Sequence, residues 1–310
     1  MHEGNRATTT FTPAETAACC KLIDLAFAED FGGEPAWRGD LTSLFFIPAG
    51  EEGVANIVAR SAGVIAGLPA VELVFAALSS EFRVACQVED GASVAANTVL
   101  ATIAGPTNLL LSGERTALNF LQHLSGIATL TRRYVDAIAG LPAKILDTRK
   151  TTPGWRLLEK YAVRQGSGHN HRIGLYDGIL VKDNHLAFAL SRFRQSIPLI
   201  IQNARKQPRI SKLATKLPIE IEVDTLEQFG DALAGRPDII LLDNMTPEQM
   251  RLAVQKRTAL APSVLLEASG GVNLQTVRAI AETGVDRISV GALTHSAPAL
   301  DIALDYDYAG

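Results

Sequence analysis

The chain has 310 residues, 47% of them hydrophobic and 20% charged, which is long for one compact domain and comfortable for two. Its 29 Lys and Arg against 33 Asp and Glu leave a net charge of −4, which excludes a general nucleic-acid or membrane-surface binder, so any anion site must come from local clustering. The three cysteines, Cys19, Cys20 and Cys86, have no CxxC spacing and read as reduced thiols of a cytoplasmic protein, and no apolar run approaches the ~18 residues of a membrane span.

Residues 1–12 read as a flexible tail. From Pro13 to Asp30 the residues Ala17, Leu22, Leu25 and Ala26 recur at helical spacing and predict an opening helix. Short β-rich runs at 54–59, 82–88 and 99–103, with a helical stretch at 69–78, predict a small α/β domain. A long helix follows over 109–138, and it carries Glu114 and Arg115 between apolar neighbours. Apolar runs at 144–146, 179–181, 219–223, 239–242, 264–266 and 288–290 then alternate with helical segments. That rhythm implies parallel strands with crossover helices, in either a doubly wound sheet or a barrel. Thr152-Pro153 and Thr246-Pro247 read as helix starts, the second with Gln249 placed for a capping box, and Gly166, Gly235 and Gly284 fall where helix C-caps belong.

No GxGxxG follows the first strand, which weakens a dinucleotide-binding reading. Polar residues instead stand at the C-terminal ends of the strands: Asp147 to Lys150, Lys182-Asp183, Asp224, Asp243-Asn244, Ser269 and Gly291. A barrel gathers such ends around one mouth, whereas an open sheet scatters them. The expectation is an incomplete α/β barrel of six strands over 141–295, preceded by an N-terminal α/β domain over 13–140 and followed by a C-terminal helix over 296–310.

Thr148, Arg149 and Lys150 leave a strand where a helix begins, and a guanidinium there suits a carboxylate or phosphate, although a solvated loop is an equal alternative. The 166–172 loop adds His171 and Arg172; its His-x-His pattern suggests a metal, but no further ligand stands at zinc spacing. Lys182 either snorkels at its strand end or projects into a pocket. Glu220, Glu222 and Asp224 alternate with Ile221 and Val223, so period two aims three carboxylates into the barrel interior. Glu222 and Asp243 would hold Mg²⁺, directly or through water. Glu267 to Gly271 and Ser289 to Ala292 place Ser269, Gly270, Gly271, Ser289 and Gly291 where backbone N–H groups wrap phosphate. The stretch 186–217 is basic without acidic residues and reads as a solvated face.

Together and in this order, Glu114-Arg115-Thr116-Ala117-Leu118-Asn119, Asp147 to Pro153, Asn170-His171-Arg172, Lys182-Asp183-Asn184-His185, Ile219 to Val223, Leu242-Asp243-Asn244 and Glu267 to Gly271 resemble the quinolinate phosphoribosyltransferase family (nicotinate-nucleotide pyrophosphorylase, carboxylating). The resemblance runs from about Asp30 to the C-terminus. It implies an N-terminal α/β sandwich, an incomplete α/β barrel and the conversion of quinolinate and phosphoribosyl pyrophosphate to nicotinate mononucleotide, pyrophosphate and CO₂, with Mg²⁺. It also implies that Arg149, His171, Arg172 and Lys182 hold the pyridine dicarboxylate. Lys150, Glu222 and Asp243 would surround the ribose and Mg-pyrophosphate as the catalytic set, and the Ser269 and Gly291 loops would take phosphate. Arg115 would reach the site from the partner of a homodimer. One departure is Ser167, where the family has glycine; it matters only if that position needs a positive φ. The competing readings are a paralogous phosphoribosyltransferase acting on another acceptor and a Schiff-base lyase using Lys182 or Lys150.

Overall fold

A computed structural model describes residues 10–193, 196–207 and 217–307. The chain divides into two compact units, one made of residues 1–132, 150–168 and 293–310, the other of 133–149 and 169–292.

The first unit holds α1 (Pro13–Phe31), capped by a reciprocal Thr12–Glu15 capping box, so Thr12 of the tail expected over 1–12 is part of a helix start; residues 1–9 of that tail lie outside the described residues. Two short helices, α2 (Ala36–Gly39) and α3 (Leu41–Phe46), precede β1 (Glu52–Ala59), β2 (Gly63–Val64), α4 (Leu68–Leu78), β3 (Arg83–Cys86), β4 (Ser93–Val94) and β5 (Val99–Pro106). The long α5 (Thr107–Ala137) follows. A four-stranded antiparallel sheet has the order β12-β1-β5-β3, where β12 is Ile302–Tyr306. The helix expected over 296–310 is therefore a strand over 302–306, paired along β1 from Ala55 opposite Tyr306 to Ala59 opposite Ile302. Ile302, Leu304 and Tyr306 alternate with period two, and pairing also satisfies backbone groups that β1 would otherwise leave open.

The expected domain boundary also shifts, because residues 150–168 belong with the first unit. They carry α6 (Arg156–Gln165), whose Leu158, Tyr161 and Ala162 are buried. Tyr161 donates its hydroxyl to Asp90 at 2.7 Å and meets the Phe11 ring edge-on, while Arg164 pairs with Glu15 of α1. Thr152 does not cap this helix: Trp155 occupies the N-cap, and the Thr152 N–H donates to Glu159. Thr246 does cap its helix with Gln249 in a full capping box.

At the end of α6, Gly166 has an ordinary φ of −73°, and the left-handed residue is Ser167, at +66°. A side chain there costs about 1 kcal/mol, partly offset by an exposed hydrogen bond that Ser167 Oγ accepts from Arg132 at 2.7 Å. Ser167→Gly is expected to raise the melting temperature by about 2 °C. An unchanged or lower value in thermal unfolding would mean that the Arg132 bond outweighs the strain.

The second unit holds β6 (Lys144–Leu146), β7 (Ile179–Val181), α7 (Asp183–Phe193), α8 (Ile197–Lys206), β8 (Ile219–Val223), α9 (Leu226–Gly235), β9 (Ile239–Asp243), α10 (Pro247–Leu260), β10 (Leu265–Ser269), α11 (Val277–Ala281) and β11 (Arg287–Ser289). The short α12 (Ala292–His295) leads the chain out. All six strands pair in parallel in the order β6-β11-β10-β9-β8-β7, so the last strand returns to the first and β6 and β7 remain as edges. This is an open six-stranded α/β barrel. Residues 169–171 run beside β6 at one edge: Leu146 bridges His169 in parallel, and the His169 N–H donates to the Ile145 carbonyl. Of the basic stretch 186–217, the helical parts of α7 and α8 are described and residues 208–216 lie outside the described residues.

Candidate active site

The C-terminal ends of the barrel strands carry the polar residues that the sequence pattern singled out. On β8, Glu220 and Glu222 point inward, whereas Asp224 is exposed. The interior trio is thus a pair, because the chain leaves the strand after Val223 and the Asp224 N–H already donates to Gln228 in α9. Glu222 Oε2 accepts from Lys182 Nζ at 3.2 Å across the β7–β8 pair. Lys182 keeps 49% of its side chain exposed, against 12% for Glu222, so it stands at the rim of its strand end rather than in the core.

Asp243 ends β9 and accepts from Asn244 Nδ2 at 2.7 Å. Asn244 takes a left-handed φ of +52° and donates its N–H to the Ser269 carbonyl at 2.9 Å. This draws the β9 turn against the β10 turn so closely that a Cβ on Gly270 would sit 2.1 Å from Asn244 Oδ1. Gly270 is also at φ +91° and Gly271 at +60°, so conformation and space both select glycine. Ser289, at the end of β11, is buried beside them, with Oγ 3.4 Å from the Ala268 carbonyl, and Gly291 follows half-buried.

The strand β10 runs to Ser269, farther than the sequence pattern indicated, so Glu267 is not in a loop but inside the barrel. It is fully buried there with Glu220, and the two carboxylates flank one imidazole. His171 Nε2 lies 3.1 Å from Glu220 and 3.4 Å from Glu267, whose other oxygen accepts from Arg287 Nε at 2.6 Å. The fully buried Asp147 holds the His171 backbone N–H at 2.8 Å and the Asn170 amide at 2.6 Å. Burial alone would lower the His171 pKa, but the two carboxylates outweigh it and pull toward about 9. The second ring proton this implies would have to sit on Nδ1, which already accepts the Arg172 N–H at 2.8 Å. That contact keeps the ring proton on Nε2, facing the carboxylates. Burial and the charge of Glu267 push Glu220 up, whereas in Glu267 the contacts with His171 and Arg287 oppose burial and pull it down.

Arg172 anchors its guanidinium on the Gly178 carbonyl at 2.9 Å. Its pKa is lowered by burial and then by the neighbouring charge of Arg149. The carboxylates of Glu220 and Asp177 act on the same guanidinium in the opposite sense. A cavity of about 200 Å³ is lined by His171, Arg172, Asp177, Ile179, Glu220 and Arg287. A second, of about 330 Å³, is lined by Asp183, Asn184, Leu190, Glu222, Asp224 and Gln228.

The structure therefore brings Lys182 to Glu222 and the Asp243 and Ser269 turns together, whereas the Arg172 guanidinium is turned to Gly178 at the start of β7 and Lys182 follows the end of that strand. It engages both ring nitrogens of His171 within the chain. Lys150 is exposed and counted with the first unit, with its carbonyl accepting from Thr294 Oγ1 at 2.7 Å. Arg115 is exposed on α5. Glu267 and Arg287 were not recognised as site residues from the sequence, yet stepping back two positions from Ser269 and Ser289 finds both.

The chain matches the family descriptions "Quinolinate phosphoribosyl transferase, N-terminal domain" over residues 40–125 and "Quinolinate phosphoribosyl transferase, C-terminal domain" over 127–305. It is 46% identical to the nicotinate-nucleotide pyrophosphorylase [carboxylating] of Mycobacterium leprae, over 86% of this chain and 90% of that one. It is 35% identical to quinolinate phosphoribosyltransferase [decarboxylating] 1b of Nicotiana tabacum, over 92% of this chain and 81% of the relative. Among solved structures, the nicotinate-nucleotide pyrophosphorylase from Francisella tularensis superposes with a TM-score of 0.86 at 34% identity, covering 98% of this chain and all of that one.

Proposed function

The chain belongs to the quinolinate phosphoribosyltransferase family, and from that premise we propose how its own residues carry the reaction. The enzyme transfers phosphoribosyl from phosphoribosyl pyrophosphate to quinolinate and releases CO₂, giving nicotinate mononucleotide and pyrophosphate for NAD biosynthesis. No described helix is long and apolar enough to cross a membrane.

The observation that carries the residue assignment is the cavity that Arg172 lines with His171 and Arg287, within reach of the Arg149 charge, while Lys182 is bound to Glu222 at the rim. Quinolinate brings two carboxylates, and planar guanidiniums bind them bidentately. Arg149, Arg172 and Lys182 hold the dicarboxylate, with Thr148 beside them; His171 contributes through the Arg172 backbone. Lys150 lies next to Arg149 in the chain and serves the ribose and pyrophosphate. Ser269, Gly270, Gly271, Ser289 and Gly291 wrap phosphate with backbone N–H groups, a use of barrel strand-end loops that recurs widely.

Chemically, the pyridine nitrogen forms a bond to the ribosyl carbon as the bond from that carbon to pyrophosphate oxygen breaks. Positive charge develops at the ribosyl carbon, and the carboxylates of Glu222 and Asp243 stabilise it. The cationic ring nitrogen then accepts the electron pair released as the adjacent carboxylate leaves as CO₂, and that ring carbon takes a proton. No nucleophilic side chain is needed, so positioning and electrostatics supply the rate.

The two mouth carboxylates also suit a hard cation. Glu222, one residue before the end of β8, and Asp243, the last residue of β9, lie on adjacent strands and offer only oxygen donors, the set Mg²⁺ prefers together with substrate phosphates. Bound there, Mg²⁺ would neutralise the pyrophosphate charge. Arg115 is assigned to the active site of the partner in a homodimer, consistent with its exposure on a helix whose neighbours Thr116, Ala117 and Leu118 are buried.

Substrate choice tests the reading. With phosphoribosyl pyrophosphate present, quinolinate is expected to support turnover and nicotinate, which lacks the second carboxylate, is expected not to. Turnover of nicotinate without quinolinate turnover would remove the dicarboxylate assignment and favour the paralogous transferase.

A further inference from the structure

Inside the barrel, Glu220, Glu267 and Arg287 converge on His171. Imidazole with two carboxylates is a common divalent-metal set, and the three ligand atoms lie within 4.8 Å of one another. The far side of the ring decides against a metal. A metal on Nε2 would require that nitrogen bare and a proton on Nδ1, where the Arg172 N–H already points at 2.8 Å. Arg287 also neutralises Glu267 from its other oxygen at 2.6 Å.

What the cluster holds is the backbone that carries Arg172. His171 is fixed at three points: its backbone N–H on Asp147 at 2.8 Å, Nε2 between the two carboxylates, and Nδ1 on the Arg172 amide. Arg172 sets its guanidinium on the Gly178 carbonyl at 2.9 Å, so the position of that cation follows the backbone on both sides of it. The negative charge of Glu220 also reaches Arg172.

We propose that Glu267 and Glu220 are positioning residues for quinolinate binding, acting through the His171 ring to fix the backbone of Arg172 before the substrate arrives. The proposal rests on the reading that Arg172 binds quinolinate. Prior alignment of a binding cation removes an ordering cost from association, and a displacement of the order of 1 Å is enough to lose much of the gain. Glutamine at position 267 keeps the size of the side chain but turns an N–H toward either His171 or Arg287, so one of those two donors loses its acceptor.

The test uses the full-length enzyme and both substrates. Glu267→Gln and Glu220→Gln are each expected to raise the quinolinate KM about tenfold, with the phosphoribosyl pyrophosphate KM within about twofold of wild type. If Glu267→Gln does not fold, Arg287→Lys, which loosens the same carboxylate from its other side, is expected to show the same selective rise. An unchanged quinolinate KM, or an equal rise for both substrates, overturns the proposal. So does about one equivalent of divalent metal in the purified wild-type enzyme that disappears in Glu267→Gln. A wild-type enzyme with no quinolinate turnover would instead overturn the functional reading beneath it.

Discussion

Glu222→Ala is expected to lower kcat/KM for phosphoribosyl transfer at least about 100-fold, the scale on which a preorganised electrostatic group contributes to a transition state. Glu222 sits at the barrel mouth with 12% of its side chain exposed, where its charge is less screened than on an open surface. The variant also frees Lys182, but that side chain is 49% exposed and rehydrates at little cost. The melting temperature is therefore expected to stay within a few degrees while turnover collapses, and measuring both separates catalysis from folding. Near-normal turnover would mean that the ribosyl charge is stabilised elsewhere.

Lys150→Ala is expected to have an effect of similar size, again at least about 100-fold. Its backbone is tied by the bond from Thr294 Oγ1 to the Lys150 carbonyl, which alanine keeps, and the lysine is exposed, so the fold has little to lose. The same variant tests the homodimer. Mixed with inactive Arg115→Ala, it should recover activity, because a hybrid dimer would combine an intact Lys150 on one chain with Arg115 donated by the other. Random pairing makes half the dimers hybrid, each with one complete site, so recovery approaches about a quarter of wild type. A mixture that stays inactive would show that Arg115 does not act across the interface.

Much of this was legible in the sequence because parallel strands buried on both faces read as short apolar runs. The runs at 144–146, 179–181 and 219–223 coincide with β6, β7 and β8. The polar residues that end them are the mouth. Where tertiary pairing overrode local pattern, the reading failed. Residues 302–306 are a strand because β1 offers an edge, a fact that no local window contains. Glu267 was read as loop because a charged residue interrupts an apolar run, yet it lies inside β10, and its burial depends on His171 and Arg287 arriving from distant parts of the chain. The cap expected at Thr152 moved because Gly154 takes a φ of +86° and delays the helix to Arg156. Ser167 shows the reverse: its departure from glycine was visible in sequence, and the structure supplies the left-handed φ that makes it matter.

The decarboxylating transfer to quinolinate is the central claim, and its most direct test is a product balance. Purified enzyme given phosphoribosyl pyrophosphate and quinolinate labelled in the carboxylate next to the ring nitrogen should release labelled CO₂, pyrophosphate and nicotinate mononucleotide in equal amounts. Pyrophosphate release without labelled CO₂, or the absence of both, would contradict it.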